Sequence, residues 1–269
     1  ATANFGEVNS LGLDIYVVGV AFASGVFAVA GYVFGTVLLA TSADGVTWTA
    51  RTSPSSSAWI AIAASDTTFV VVGNGTAKIA SSADGITWTA RTYPGGPSAD
   101  YNSVYRSSTH FIGYKAHMST YSLGYSTDGT TWVNATSSVS SLLGSIVKII
   151  EANGILYIYG TSIGNIDIYE VCIGTFAGGF VKHTLSIVDP YALSSSGDFV
   201  SFVEYYSGKF LAARNTLLTF WSLDGITWYV RSDEDTTHFP LVMNGTGELY
   251  AGMVQLASMY LAQYLDYRI

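Results

Sequence analysis

One heptapeptide, Ser-x-Asp-Gly-x-Thr-Trp, occurs four times in this chain, and its spacing constrains the fold more than any other feature. The copies run from Ser42 to Trp48, Ser82 to Trp88, Ser126 to Trp132 and Ser222 to Trp228. Successive tryptophans lie 40, 44 and 96 residues apart. The last interval is twice 48, so one repeat has kept its length and lost the motif. A period of about 40–48 residues, carried by β-branched and aromatic runs, predicts an all-β propeller with one four-stranded antiparallel blade per repeat.

The second repeat reads most cleanly. Strands are expected over Ala58 to Ala64, Thr68 to Gly73, Lys78 to Ser82 and Ile86 to Thr92, with a turn at Asn74-Gly75 and a hairpin at Ala83-Asp84-Gly85. The first repeat aligns over Tyr16 to Thr52, the third over Tyr101 to Thr136 and the fifth over Phe199 to Ser232. The fourth, Gly144 to His183, has Thr175-Phe176-Ala177-Gly178-Gly179 in place of the motif, with Phe180 or Val181 expected in the tryptophan role. The sixth, Phe239 to Ile269, has room for three strands only, so Ala3 to Ser10 is expected to close it as the outer strand and hide both sheet edges. This predicts a single six-bladed domain over residues 1–269, because seven blades would need repeats of about 38 residues, shorter than any observed spacing.

The motif residues solve a turn and a packing problem. Asp and Ser side chains can accept backbone amides in the hairpin. Gly takes the positive φ. The Trp supplies a large apolar surface between blades. Asp44, Asp84, Asp128 and Asp224, with Trp48, Trp88, Trp132 and Trp228, are therefore read as structural.

Charged residues make up 11% of the chain, against about 25% in typical domains, and the net charge is −8. No basic stripe exists, which argues against nucleic acid and anionic membrane as partners. The uncharged run from Ile15 to Ala40 is broken by Gly19, Gly25, Gly31 and Gly35, so two buried strands around a tight turn at Ala23-Ser24-Gly25 are expected rather than a membrane span. No basic leader precedes that run, so no secretory signal is expected. Cys172 is the only cysteine and is read as a small buried hydrophobe within a strand.

The repeated motif resembles that of the Asp-box, or BNR-type, propellers, whose motif is Ser-x-Asp-x-Gly-x-Thr-Trp. All four copies here lack the residue between Asp and Gly. The shortened form, followed by Thr-Ala-Arg-Thr after Trp48 and Trp88, resembles propeller repeats of bacteriophage tail and fibre proteins and of bacterial surface proteins. The resemblance implies that the boxes lie away from the ligand face. It is specific for fold and weak for function.

Sialidases of that family use an arginine trio, a Tyr–Glu pair and an acidic Asp. Here Arg51, Arg91 and Arg231 each follow a box Trp by three residues, which puts them on outer strands. Arg106 and Arg214 fall near inner strands, and Glu204 beside Tyr205 imitates half of the pair. Another glycosidase would need two facing carboxylates, for which Asp100, Asp189 and Glu204 are the candidates. Gly160-Thr161-Ser162-Ile163-Gly164 matches a nucleophile elbow but lies between two β runs, so it is read as a hairpin. The four histidines have no metal-ligand spacing, and no metal or cofactor is expected.

The nineteen tyrosines are more suggestive. Tyr93, Tyr101, Tyr121 and Tyr191, with His117 and His238, fall near loops expected on the face opposite the boxes. Exposed Tyr among Ser, Asn and Gly suits adaptable recognition and sugar stacking. The expected function is a non-enzymatic binding or structural module in a virion, at a phage tail or fibre, contacting host surface glycan or another virion protein. A homo-oligomer within a larger assembly fits that setting. The alternatives are a secreted bacterial lectin or surface adhesin, and a glycoside hydrolase of sialidase-like fold.

Overall fold

A computed structural model describes residues 16–33, 36–56, 58–73, 79–92, 101–115, 122–163, 165–188, 202–213, 219–230, 241–243, 249–252 and 264–266. The chain divides into two compact units, Ala1–Ser141 and Leu142–Ile269.

The first unit holds three antiparallel sheets of four strands, each ordered as in the sequence. The first sheet is β1 (Tyr16–Ala23), β2 (Val26–Val33), β3 (Thr36–Ser42) and β4 (Thr49–Arg51). The second is β5 (Trp59–Ala64), β6 (Phe69–Gly73), β7 (Ile79–Ser82) and β8 (Thr89–Arg91). The third is β9 (Ser103–Arg106), β10 (Phe111–Tyr114), β11 (Leu123–Ser126) and β12 (Val133–Asn134), followed by the one-turn helix α1 (Thr136–Val139). The apolar run before the first box is thus a hairpin turning at Ser24 and Gly25, both at positive φ. No helix among the described residues is long and apolar enough to cross a membrane.

Period-two alternation explains how these sheets stack. Phe69 and Val71 of β6 pack with Ala23, Ala28, Ala30 and Leu39 of the first sheet. Val70 and Val72, the intervening residues, pack with Tyr101, Phe111 and Trp132 of the third. Both faces of β6 are covered, which is why its sequence is apolar throughout. At the turn between β1 and β2, the Ser24 amide donates to the Asp66 carbonyl at 2.9 Å, and its hydroxyl to the Ala83 carbonyl at 3.0 Å. These two bonds stitch the first sheet to the second.

The second unit begins with β13 (Ser145–Ala152), β14 (Ile155–Ser162), β15 (Asn165–Thr175) and β16 (Gly179–Thr184). Gly160, Thr161 and Ser162 of the expected hairpin are the last residues of β14, and β15 follows at Asn165. The next sheet has five strands. β17 (Ser186–Val188) lies outside β21 (Thr227–Val230), followed inward by β20 (Thr219–Ser222), β19 (Lys209–Ala213) and β18 (Phe202–Tyr206). β17 is parallel to β21, a feature the repeat did not announce. The last sheet is β22 (Leu241–Met243), β23 (Leu249–Gly252) and β24 (Tyr264–Asp266), described by backbone only. The expected closing segment, Ala3 to Ser10, lies outside the described residues.

The fourth repeat corrects one expectation. Neither Phe180 nor Val181 replaces the missing tryptophan. Val181 is 62% exposed, and Phe180 is half-buried, edge-on to Phe176 at 5.7 Å. The core of this unit is built instead around Trp228, with Tyr159, Val171, Val203, Phe210 and Phe220.

Candidate functional site

The four boxes have one geometry. Each Ser hydroxyl donates to Oδ1 of the Asp two residues on, at 2.8–2.9 Å. The same Ser oxygen accepts the Gly amide at 2.8–2.9 Å. The Asp Oδ1 also accepts the two amides that follow the Gly, at 2.7–2.9 Å. Each box Gly has a φ between 72° and 76°. A Cβ at Gly85 would come within 3.0 Å of Thr41 Cγ2 on the neighbouring sheet. Each box therefore locks its own hairpin, and the box glycines Gly85, Gly129 and Gly225 also fit against the preceding blade.

The box tryptophans are buried. Trp88 Nε1 donates to the Gly85 carbonyl at 2.8 Å, and Trp132 Nε1 to the Gly129 carbonyl at 3.2 Å. At the last box the Tyr159 hydroxyl, from β14, donates to the Gly225 carbonyl at 3.2 Å. Burial pushes the Tyr159 hydroxyl pKa far up, so it stays a donor.

Amide donors hold the box carboxylates ionised. The Thr47 and Val46 amides lower Asp44 well below the usual range, and the Thr131 amide with the Thr130 hydroxyl does so for Asp128. The Thr87 amide lowers Asp84. At Asp224 partial burial acts upward and the Thr227 and Ile226 amides outweigh it. A carboxylate committed to its own turn, with so low a proton affinity, is poorly placed for acid–base work.

The described groups with catalytic potential do not converge. Arg51 Nε donates to Thr41 Oγ1 at 2.8 Å and Arg91 Nε to Ser81 Oγ at 2.7 Å, each binding the adjacent strand of its own sheet. Arg106 lies over the Phe111 ring, 4.8 Å from its centroid. Glu204 is exposed and 3.4 Å from Lys148 Nζ. Asp100, Asp189, Arg214 and Arg231 lie outside the described residues. Among the described residues no three His, Cys, Asp or Glu side chains group as metal ligands.

A buried ion pair escaped the sequence reading. Glu170 is buried and meets Lys182 Nζ at 3.1 Å. Both neighbour Cys172, whose register partner is Lys182. Burial, with Glu170 adding to it, pushes the Cys172 thiol up to about 12. The diagonal spacing across two paired strands is a signal only once their register is known.

The expected recognition residues fare unequally. Tyr93, Tyr121, Tyr191, His117 and His238 lie outside the described residues. Tyr101 is described and is 1% exposed. Its ring lies over Gly113 and Gly124, which face each other across β10 and β11, and tilts against Trp132 at 6.1 Å. A Cβ at Gly113 would sit 2.8 Å from that ring. Tyr101 is a packing residue in this structure, not a surface contact.

A different aromatic pair is exposed. Tyr16 and Tyr32 are cross-strand partners on β1 and β2. Their rings stack at 5.2 Å and 13°, with 57% and 38% of each residue exposed. β1 runs from Tyr16 to the Ser24 turn, and β3 runs back to the box at Ser42, so the stacked pair stands at the end opposite the boxes.

Comparison with known proteins identifies the fold. No family model matches the chain, and no curated protein matches it by sequence. Solved structures do. YCF48 bound to D1 peptide is similar at TM-score 0.62 and 11% identity, over 89% of this chain and 76% of that one. The WD40 β-propeller domain of Doa1 is similar at TM-score 0.52 and 10% identity, over 89% and 76%. A chain of the nidogen/laminin complex is similar at TM-score 0.52 and 11% identity, over 80% and 84%. The chain is an all-β protein of the propeller class, its described residues lying mostly in four-stranded antiparallel sheets.

Proposed function

We propose that this chain is a non-enzymatic binding and structural module, a six-bladed propeller of Asp-box type in a phage tail or fibre. On this reading it contacts host surface glycan or another virion protein through the end opposite the boxes. The observation that carries the proposal is the contrast between the two ends of the first blade. At the box end, Ser42 and Asp44 are consumed by hairpin amides. At the other end, Tyr16 and Tyr32 present stacked rings to solvent. Paired aromatic faces suit sugar rings and flat protein surfaces alike. The fold neighbours include a structure with bound D1 peptide and one from a complex with laminin, so propellers of this shape do serve as binding modules.

The test is a glycan array and a host-cell binding assay with Tyr16→Ala, Tyr32→Ala and Asp84→Ala. The tyrosine variants should lose about tenfold or more in affinity, and Asp84→Ala should bind like the parent once folded. Binding should change little between low and high salt, because aromatics rather than charges carry it. Loss of binding in folded Asp84→Ala with full binding in both tyrosine variants would place the site at the box end. Release of free sugar from a bound glycan would make the chain a glycosidase.

A further inference from the structure

Three blades share one device at the start of the inner strand. β1 bulges between Val17 and Gly19, β5 between Trp59 and Ala61, and β13 between Ile146 and Lys148. Opposite each bulge, on the next strand, stands a glycine: Gly31, Gly73 and Gly160. A Cβ on any of the three would run into a backbone carbonyl, that of Tyr16, Ala58 or Ser145 respectively. Glycine is what lets the two backbones approach so closely there. The frame is the same in each blade. What differs is the residue just before the bulge and its partner across the ladder.

In the fourth blade that pair is Ser145 and Thr161, whose hydroxyls lie 2.9 Å apart. In the second, Ala58 holds the position before the bulge. In the first the pair is Tyr16 and Tyr32, stacked and exposed. The repeat thus supplies its own control. The frame folds with small residues in place, so the scaffold does not call for two rings, and leaving their apolar surface in water is unfavourable unless something covers it. Charge sets the class of that something. From Ile15 to Ala40, a run that includes all of β1 and β2, there is no Asp, Glu, Lys, Arg or His. The bulge residue that is Lys148 in the fourth blade is Gly19 here. Recognition of an anionic group takes Arg or Lys donors, and the chain as a whole carries −8. Size narrows it further. Two rings match one or two sugar rings and fall far short of the roughly 800 Å² per partner of a stable protein interface. The rings are 5.2 Å apart, too close to admit a third between them, so a ligand lies on the outside of the pair.

We propose that the Tyr16–Tyr32 platform takes the apolar C–H face of an uncharged pyranose, and that sialylated or sulfated glycans are not its ligands. The proposal rests on the reading that this end binds glycan, and narrows it to neutral sugars. An array tests it, pairing neutral oligosaccharides that end in galactose, glucose or N-acetylglucosamine with their sialylated and sulfated forms. The parent should bind the neutral members about tenfold or more tighter than their charged forms. Transplanting the fourth blade's pair, as Tyr16→Ser with Tyr32→Thr, should leave the thermal midpoint within about 4 °C of the parent's and weaken neutral-sugar binding about tenfold or more. Equal binding of neutral and charged forms, or preference for the charged, overturns the proposal and leaves glycan binding standing. Binding to no glycan of either kind overturns the glycan reading as well. Undiminished neutral binding in the folded double variant overturns the platform. If the double variant fails to fold, Tyr16→Ser alone decides, and undiminished binding there has the same meaning.

Discussion

The second and fourth blades perform the same task by different means. In the second, β8 has three residues, and the hairpin before it is held by Ser82, Asp84 and Trp88 through six hydrogen bonds. A further bond, from Arg91 Nε to Ser81 Oγ, ties the short outer strand down. In the fourth, β15 has eleven residues and β16 six, and in the intervening turn the Gly178 amide donates to Thr175 Oγ1 at 2.9 Å. A long ladder replaces a well-capped turn. The box is therefore a device for ending a blade in few residues. Where it is absent, the outer strand runs on, crosses to the next blade and becomes β17.

This contrast predicts a ranking of substitutions. Trp88→Ala should cost the most, about 3–5 kcal/mol, because the indole is buried between two blades and its removal leaves a cavity. Phe180→Ala, the nearest counterpart in the box-less blade, should cost less than half as much, since it is half-buried at an outer strand. Chemical denaturation of both variants checks the pair. Equal losses would mean that the fourth blade has hidden an equivalent anchor.

Glycine substitutions should separate the blades next. Gly85 has φ +72°, and an added Cβ would press on Thr41 Cγ2 at 3.0 Å, whereas Gly179 has φ +80° with nothing within 4 Å of the added carbon. Both Gly→Ala changes carry the backbone penalty of about 1–2 kcal/mol, and Gly85→Ala adds a steric one. Thermal midpoints should fall further for Gly85→Ala. A smaller effect follows for the turn acceptors. Asp84→Ala should cost about 1–2 kcal/mol by freeing the Ile86 and Thr87 amides, and Thr175→Ala should cost clearly less, having one amide to release. Amide exchange should rise sharply at Ile86 and Thr87 in the first variant and only locally at Gly178 in the second.

The boxed blades were legible because their information is local. The pattern Ser-x-Asp-Gly-x-Thr-Trp states the turn, the positive φ and the buried ring within seven residues, and strand limits in the second repeat fell within about three residues of the reading. β17 was not legible because its partner is 41 residues away and the sequence Leu-Ser-Ile-Val reads as any outer strand. Tyr101 misled for a related reason. It precedes an inner strand, where loops are expected, yet Gly113 and Gly124 clear a slot for its ring. Paired glycines in adjacent strands were the available signal, and their pairing depends on a register that only the fold supplies. Tyr16 and Tyr32 escaped notice because both read as ordinary strand residues, and only their register makes them an exposed stack.

The central claim is that the box carboxylates work by holding the backbone amides of their own turns. Carboxyl titration by NMR tests it most directly. Folding lowers the pKa of Asp44, Asp84, Asp128 and Asp224 below the ordinary value of 3.8. A group with a depressed folded pKa stabilises the fold fully above its unfolded value and loses that contribution as pH falls through the folded one. The account predicts that all four carboxyls stay ionised while exposed carboxyls protonate, and that stability declines progressively below about pH 4. Four box aspartates titrating at their ordinary value, with no loss of stability on acidification through it, would contradict the account.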